Sequence, residues 1–225
     1  MQTTDPEGLF RLEKQHIARA TDVLARAFAE EPLFAHVIPN PVEHARRLPY
    51  FMQFEIRHAI LYGEAYAPSP QLEAIAGWLP SDRGMPSFTA MLRSGIFSLL
   101  RHGGLKAVVD MRRFEDSFAR MWRRHVPFPH MVLDVLGVDP AYQGKGHAGA
   151  LLQPMLQRLD SLDMPACPGT TRHTNVLFYR HFGFHVVDRD NLEGAGVPLW
   201  LMVRNPWANG DPPDSHIADS RAKVV

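Results

Sequence analysis

The stretch Gln143-Gly144-Lys145-Gly146-His147-Ala148-Gly149-Ala150 constrains this chain more than any other, because it lies where one regular pattern ends and another begins. Met131–Val138 reads as a strand, and Leu151, Leu152, Met155, Leu156 and Leu159 recur at the spacing of a helix. Gly144, Gly146 and Gly149 spell G-x-G-x-x-G between the two. In such a turn the backbone can approach an anion closely, and the first amides of the helix, with no partner inside it, donate to phosphate with the helix dipole assisting. A pyrophosphate-bearing ligand is the expectation.

Two common uses of glycine loops are disfavoured. A dinucleotide-binding unit places an acid at the end of the next strand, about 20 residues on, to hold a ribose. Residues 165–170 contain none, and too little chain follows for a doubly wound sheet. The phosphate loop of ATPases needs Ser or Thr after its lysine, and here Gly146 follows Lys145.

The rest of the chain sets the frame for this unit. Its 225 residues suit one domain, expected over residues 1–207, with a flexible tail over 208–225 where polar residues and Pro212-Pro213 dominate. Basic and acidic side chains balance at 24 each, which argues against a general nucleic-acid binder and for a small molecule or peptide. Cys167 is the only cysteine, so neither a disulfide framework nor a thiolate metal cluster is expected, and no metal site is proposed. A leader-like start and a membrane-length apolar run are both lacking, so the cytoplasm is the expected location and no membrane partner is foreseen.

Periodicity predicts a strand over residues 8–13 and then a helix through Ile17, Leu24 and Phe28 that stops at Pro32. A second helix runs through Leu48, Phe51, Met52, Ile56 and Ile60 to Gly63, followed by strands at Glu64–Ala67 and residues 72–79. A helical insertion fills about residues 84–126, read as two helices parted by Gly103-Gly104. Residues 165–171 are a weaker strand because Pro168 and Gly169 interrupt it. A short helix over 175–182 and strands at 184–187 and 199–203 complete the pattern.

The segment from Leu136-Gly137-Val138-Asp139-Pro140 through Gln143-Gly144-Lys145-Gly146 to Leu151-Leu152 resembles the strand-4 and helix-3 motif Q/R-x-x-G-x-G/A of the GNAT acyltransferase superfamily. A second block, Asn175-Val176-Leu177-Phe178-Tyr179-Arg180-His181-Phe182-Gly183-Phe184, is similar to that family's N-x-x-F-Y-x-x-x-G-F. The pair Pro129-His130 resembles the start of strand 4 in the branch that contains puromycin N-acetyltransferase. The resemblance implies an α/β (α+β) fold, with a mixed, mostly antiparallel twisted sheet of six or seven strands flanked by helices and with strands 4 and 5 splayed. It further implies an acetyl-CoA-dependent N-acetyltransferase.

Carried over residue by residue, backbone amides at Gln143, Gly144, Lys145, Gly146, Ala148 and Gly149 would hold the pyrophosphate. The backbone of Leu136 and Val138 would pair with the pantetheine arm as a strand would. Asn175 resembles the family's side-chain contact to that arm, with a helix N-cap as the alternative. Tyr179 would protonate the leaving thiolate, since a phenol with a reference pKa of about 10 is protonated at neutral pH. Strand alternation places His130, Val132, Asp134, Leu136 and Val138 on one face. The resemblance ranks His130 first as the general base, at a point of strand 4 where several relatives carry a catalytic carboxylate or histidine and with an intrinsic pKa of about 6.5, and Asp134 second.

Relatives in that branch often carry Glu-Thr-Ser on strand 5, whereas Gly169-Thr170-Thr171 stands here, so a carboxylate some of them use is missing. The acceptor pocket is expected between the loop over 31–41, the second helix and strands 4 and 5, with Phe34, Phe51 and Trp78 in its wall. A small-molecule amine is the expected acceptor. A peptide acceptor and a silent acyl-CoA-binding module are the alternatives, and a homodimer is left open.

Overall fold

The structure is a computed structural model that describes residues 5–83, 87–191 and 196–206. The tail expected over 208–225 lies outside the described residues.

Seven strands form one sheet in the order β1-β2-β3-β4-β5-β7-β6. They are β1 (Phe10–Arg11), β2 (Glu64–Ala67), β3 (Ala74–Pro80), β4 (Met131–Val138), β5 (Ala166–Thr170), β6 (His185–Asn191) and β7 (Pro198–Val203). Neighbours pair antiparallel except β4 and β5, which are parallel. The expected sheet is thus present, and so is its splay. β4 and β5 pair only from Met131↔Ala166 to Leu133↔Pro168, leaving the second half of β4 without β5 beside it. Proline has no N–H to give a ladder, and Pro168 stands where the pairing ends.

Among the described residues eight α-helices pack around the sheet: α1 (Ile17–Ala27), α2 (Pro32–Val37), α3 (Pro41–Tyr62), α4 (Phe88–Ser94), α5 (Ile96–Gly103), α6 (Leu105–His125), α7 (His147–Ser161) and α8 (His173–His181). Leu151, Leu152 and Met155 of α7 are fully buried against one sheet face, with Trp78 and Leu133. On the opposite face Leu24, Phe51, Met52 and Ile56 of α1 and α3 form a second core with Val135. Among the described residues no helix is long and apolar enough to cross a membrane.

Helix boundaries departed from expectation where prolines lie. Pro32 and Pro41 each occupy the first turn of a helix, where a missing N–H costs nothing. The loop expected over 31–41 therefore contains α2, and α3 starts seven residues before Leu48. Asn40 caps α3, its Oδ1 accepting from the amides of Val42 and Glu43 at 3.0 Å each. The insertion holds three helices rather than two, because its first apolar stripe is divided at Gly95 into α4 and α5.

One irregularity in β4 positions the site. Between Gly77 and Trp78 the β4 partners jump from Val135 to Leu133, so Asp134 is the extra residue of a β-bulge. A bulge re-aims the side chains beyond it. The alternation expected from His130 to Val138 breaks there. Leu136 and Val138 pack with the α7 core, whereas Val135 joins α1 and α3.

Candidate active site

The turn after β4 is built by two devices. Asp139, nearly buried, accepts from the amide of Ala141 at 3.0 Å and pairs with Arg26 of α1 at 2.5 Å, which ties the end of β4 to the helical layer. Beyond it Gly144 and Gly146 adopt φ of 75° and 83°, conformations that side chains rarely tolerate. Gly146 starts α7 and offers no side-chain cap, so the first amides of this 15-residue helix point out unpaired. A Cβ at either glycine would meet open space, so backbone conformation, and not crowding, demands glycine there. Alternating backbone of this kind forms a concave nest of N–H groups. The residues present fit a pyrophosphate.

The other donor-side residues fall around this nest. Gln143 donates from Nε2 to the carbonyl of Val138 at 3.3 Å. Lys145 turns back on its own loop, donating to the Ala141 carbonyl at 3.0 Å and lying over the Tyr142 ring. Gly149 faces the Phe182 ring, where a Cβ would touch at 3.3 Å. Asn175 lies inside α8 and donates to Thr170 Oγ1 at 3.1 Å, so it is not the cap of that helix, a place Arg172 takes.

A cavity of about 510 Å³ continues from this turn along the splay. Gln143, Ala148, Asn175 and Tyr179 line it, together with the unpaired half of β4 through Leu136 and Val138. Tyr179 is buried. Burial, reinforced by the Glu31 charge, holds that phenol well above its ordinary pKa. Glu31 itself is fixed at the mouth, bonded to Thr171 and to Arg172 Nε at 2.8 Å, which straps the α1–α2 connection across the end of β5.

The two base candidates separate. His130 does not line the cavity; its Nδ1 lies 2.8 Å from the Phe128 carbonyl and its backbone brackets Ser81, ahead of β4. Burial lowers its pKa. Asp134 does line the cavity, carried there by the bulge. It meets two carboxyls that sequence reasoning passed over, Glu55 of α3 and Glu115 of α6. Burial pushes Asp134 up to about 7 against a lowering hydrogen bond from Glu55, and pushes Glu55 well above the carboxylate range with the Asp134 charge adding to it. Glu115 also rises to about 7, first through burial and then through Asp134 and Asp116, with Arg112 opposing.

Of the aromatic wall expected, Phe34 lines the cavity, whereas Phe51 and Trp78 do not. Phe51 is 1 % exposed and packs on Gly103, and Trp78 is wholly buried on the α7 face. The wall is instead Phe28, Phe54, Phe114, Phe118 and Trp122. Phe118 also explains Gly169. A Cβ there would collide with the Phe118 ring unless that ring shifted, so packing accounts for glycine at this strand-5 position. Glu115, one helical turn before Phe118, presents its carboxyl from the insertion. The signal that could have found Glu55 and Glu115 was their place on the otherwise apolar stripes of α3 and α6.

Cys167 is buried, its thiol raised by burial, which suits a strand hydrophobe and not a nucleophile.

A sheet splayed between two parallel strands, a glycine turn at the head of the next helix and a cavity that runs between them define the site. Residues 117–205 match the family model described as the acetyltransferase (GNAT) domain. An uncharacterized N-acetyltransferase of Schizosaccharomyces pombe is 25% identical, over 87% of this chain and 82% of its own. The fold is shared with a histone acetyltransferase HPA2 and related acetyltransferase from Corynebacterium glutamicum, at a TM-score of 0.64 and 19% identity, covering 90% of this chain and 98% of that one. Arylalkylamine N-acetyltransferase 2 from Aedes aegypti also shares it, at a TM-score of 0.57 and 12% identity, covering 88% and 97%.

Proposed function

We propose that this enzyme transfers the acetyl group of acetyl-CoA directly to the primary amine of a small molecule. The observation that carries the reading is one continuous cavity, lined by Gln143, Ala148 and Asn175 at the donor turn, by Tyr179, and by Asp134 on the bulge. A volume of about 510 Å³ is that of a small-ligand pocket. The fold shared with an arylalkylamine acetyltransferase is in keeping with that size of acceptor.

In this reading the amides of residues 143–149 hold the pyrophosphate, and the unpaired backbone of Leu136 and Val138 receives the pantetheine arm. Asp134, and not His130, takes a proton from the ammonium form of the acceptor, because only Asp134 of the two faces the cavity. The freed nitrogen attacks the thioester carbonyl, a C–N bond forms and the C–S bond breaks. Tyr179 protonates the departing thiolate, a role its raised pKa suits by keeping the phenol protonated. The second proton lost by nitrogen restores Tyr179, and the one on Asp134 returns to solvent.

The test is a panel of small amines scored by thiol release from acetyl-CoA, with wild type beside Tyr179→Phe. Wild type is expected to turn over at least one amine. The variant should lose about 10²- to 10⁴-fold in kcat while its affinity for acetyl-CoA is unchanged. Failure of wild type to bind acetyl-CoA would overturn the reading.

A further inference from the structure

The cavity contains more carboxyl groups than proton removal requires. Asp134, Glu55 and Glu115 reach it from β4, α3 and α6, three elements remote in sequence. Burial holds the Glu55 and Asp134 carboxyls above the carboxylate range, the Asp134 charge adding at Glu55, and two acids brought together away from water favour sharing one proton, so that the pair carries one negative charge. Even so, Asp134 Oδ2 is occluded and accepts no hydrogen bond among the described residues. A buried acceptor without a donor is costly in the free protein and is relieved by a ligand N–H. Glu115 acts on the pair through its charge, held 3.5 Å from Arg112. Among the described residues no three His, Cys, Asp or Glu side chains gather tightly enough to hold a metal ion.

The basic groups in the wall are already engaged. Both ring nitrogens of His58 have partners, Ser94 Oγ at 3.1 Å and the Arg83 carbonyl at 3.2 Å. Arg172 is held by Glu31 at 2.8 Å. A carboxylate entering the cavity would therefore meet three acids, with Arg112 and Arg172 both committed to acids of the protein.

Building on the acetyl-transfer reading above, we propose that Glu55, Asp134 and Glu115 form an ammonium subsite for the acceptor. Its ligand is a primary amine with an aromatic or similarly bulky apolar body and no carboxylate beside the nitrogen. The ammonium group supplies three N–H donors to the three acids, one of them to Asp134 Oδ2. Phe28, Phe34, Phe54, Phe114 and Trp122 surround the body, and their ring faces favour a nearby cation. Selectivity against amino acids follows from like charges brought together away from water, a repulsive element and not merely a missing contact.

The test measures binding and needs no turnover. The full chain loaded with CoA is titrated calorimetrically with phenethylamine, phenylalanine and phenylalaninamide. Phenethylamine is expected to bind about 100-fold tighter than phenylalanine, and phenylalaninamide, whose carboxylate is neutralised, to recover to within about 10-fold of phenethylamine. Glu55→Gln and Glu115→Gln should each shrink the phenethylamine-to-phenylalanine ratio to below about 10. Equal binding of phenylalanine, no binding of phenethylamine, or a ratio unchanged in both variants overturns the subsite. If one variant fails to fold, the other and the wild-type ratio decide. Selective binding without any acetylation would instead overturn the acetyl-transfer reading and leave the subsite standing.

Discussion

The donor and acceptor ends of this cavity are made from different materials. At the donor end the functional groups are backbone: amides of a glycine turn, the head of α7, and the unpaired edge of β4 left by the splay. Their placement is local, fixed by residues within one strand-turn-helix unit. The proposed acceptor end is made of side chains, Glu55 of α3, Glu115 of α6 and Asp134 of β4 with a ring of aromatics, drawn from elements far apart in the chain. The bulge at Asp134 divides the two. Before it β4 pairs with β5; beyond it the strand opens to the donor and the bulged residue itself turns to the acceptor. Backbone recognition tolerates sequence change as long as the turn forms, so one fold keeps one donor, whereas side chains from an insertion can be exchanged to suit an acceptor.

The largest expected effect comes at the boundary. Asp134→Asn keeps an acceptor for the Glu55 proton and removes the base, and kcat should fall by about 10²-fold or more, with acetyl-CoA binding intact. It should also change stability against pH. Burial lifts the Asp134 carboxyl from an ordinary value of 3.8 to about 7, so the native state holds a proton that the unfolded chain has already released. Stability from this group is therefore full below about pH 4 and is lost as pH rises through the native value. The asparagine variant should lose most of that slope in denaturant melts between pH 5 and 8. A slope equal to wild type would mean that the carboxyl pair does not carry a shared proton.

The same division accounts for what the sequence made legible. The turn and α7 could be read because each rests on a local rule, glycine at positive φ and an unpaired helix start, whereas the splay and the Asn175 block came with the resemblance. Tyr179 came with its motif. Asp134 was reached by strand alternation, yet the alternation itself failed beyond it, because a bulge shifts the period by one residue and leaves no mark in a pattern of apolar letters. His130 was preferred on its intrinsic pKa, a property that says nothing about which way its ring points. Glu55 and Glu115 were overlooked because their meaning arises only when α3 and α6 are brought onto β4. Phe51 and Trp78 illustrate the converse: large rings mark burial, and burial alone does not distinguish a core from a cavity wall.

A smaller effect tests whether the insertion displaced a strand-5 side chain. Gly169→Ala places a Cβ into the Phe118 ring and should cost about 1–3 kcal/mol through overpacking. Adding Phe118→Ala makes room for that Cβ, so the double variant should be more stable than the sum of the two single losses predicts, by about 1 kcal/mol in a double-mutant cycle. Strict additivity would show that the two positions do not compete for the same space.

The smallest effect is expected at Lys145, the one charged side chain in the donor turn. Its ammonium is satisfied by the Ala141 carbonyl and lies over Tyr142, so it serves the loop's own shape. If the donor end recognises pyrophosphate through backbone, Lys145→Ala should raise the KM for acetyl-CoA by less than about 5-fold, in line with an exposed charge worth under about 1 kcal/mol. That modest loss should shrink further at high salt, where exposed charges are screened. A 100-fold loss would mean that side-chain charge, and not the nest of amides, carries donor binding, and would erase the contrast between the two ends of the cavity.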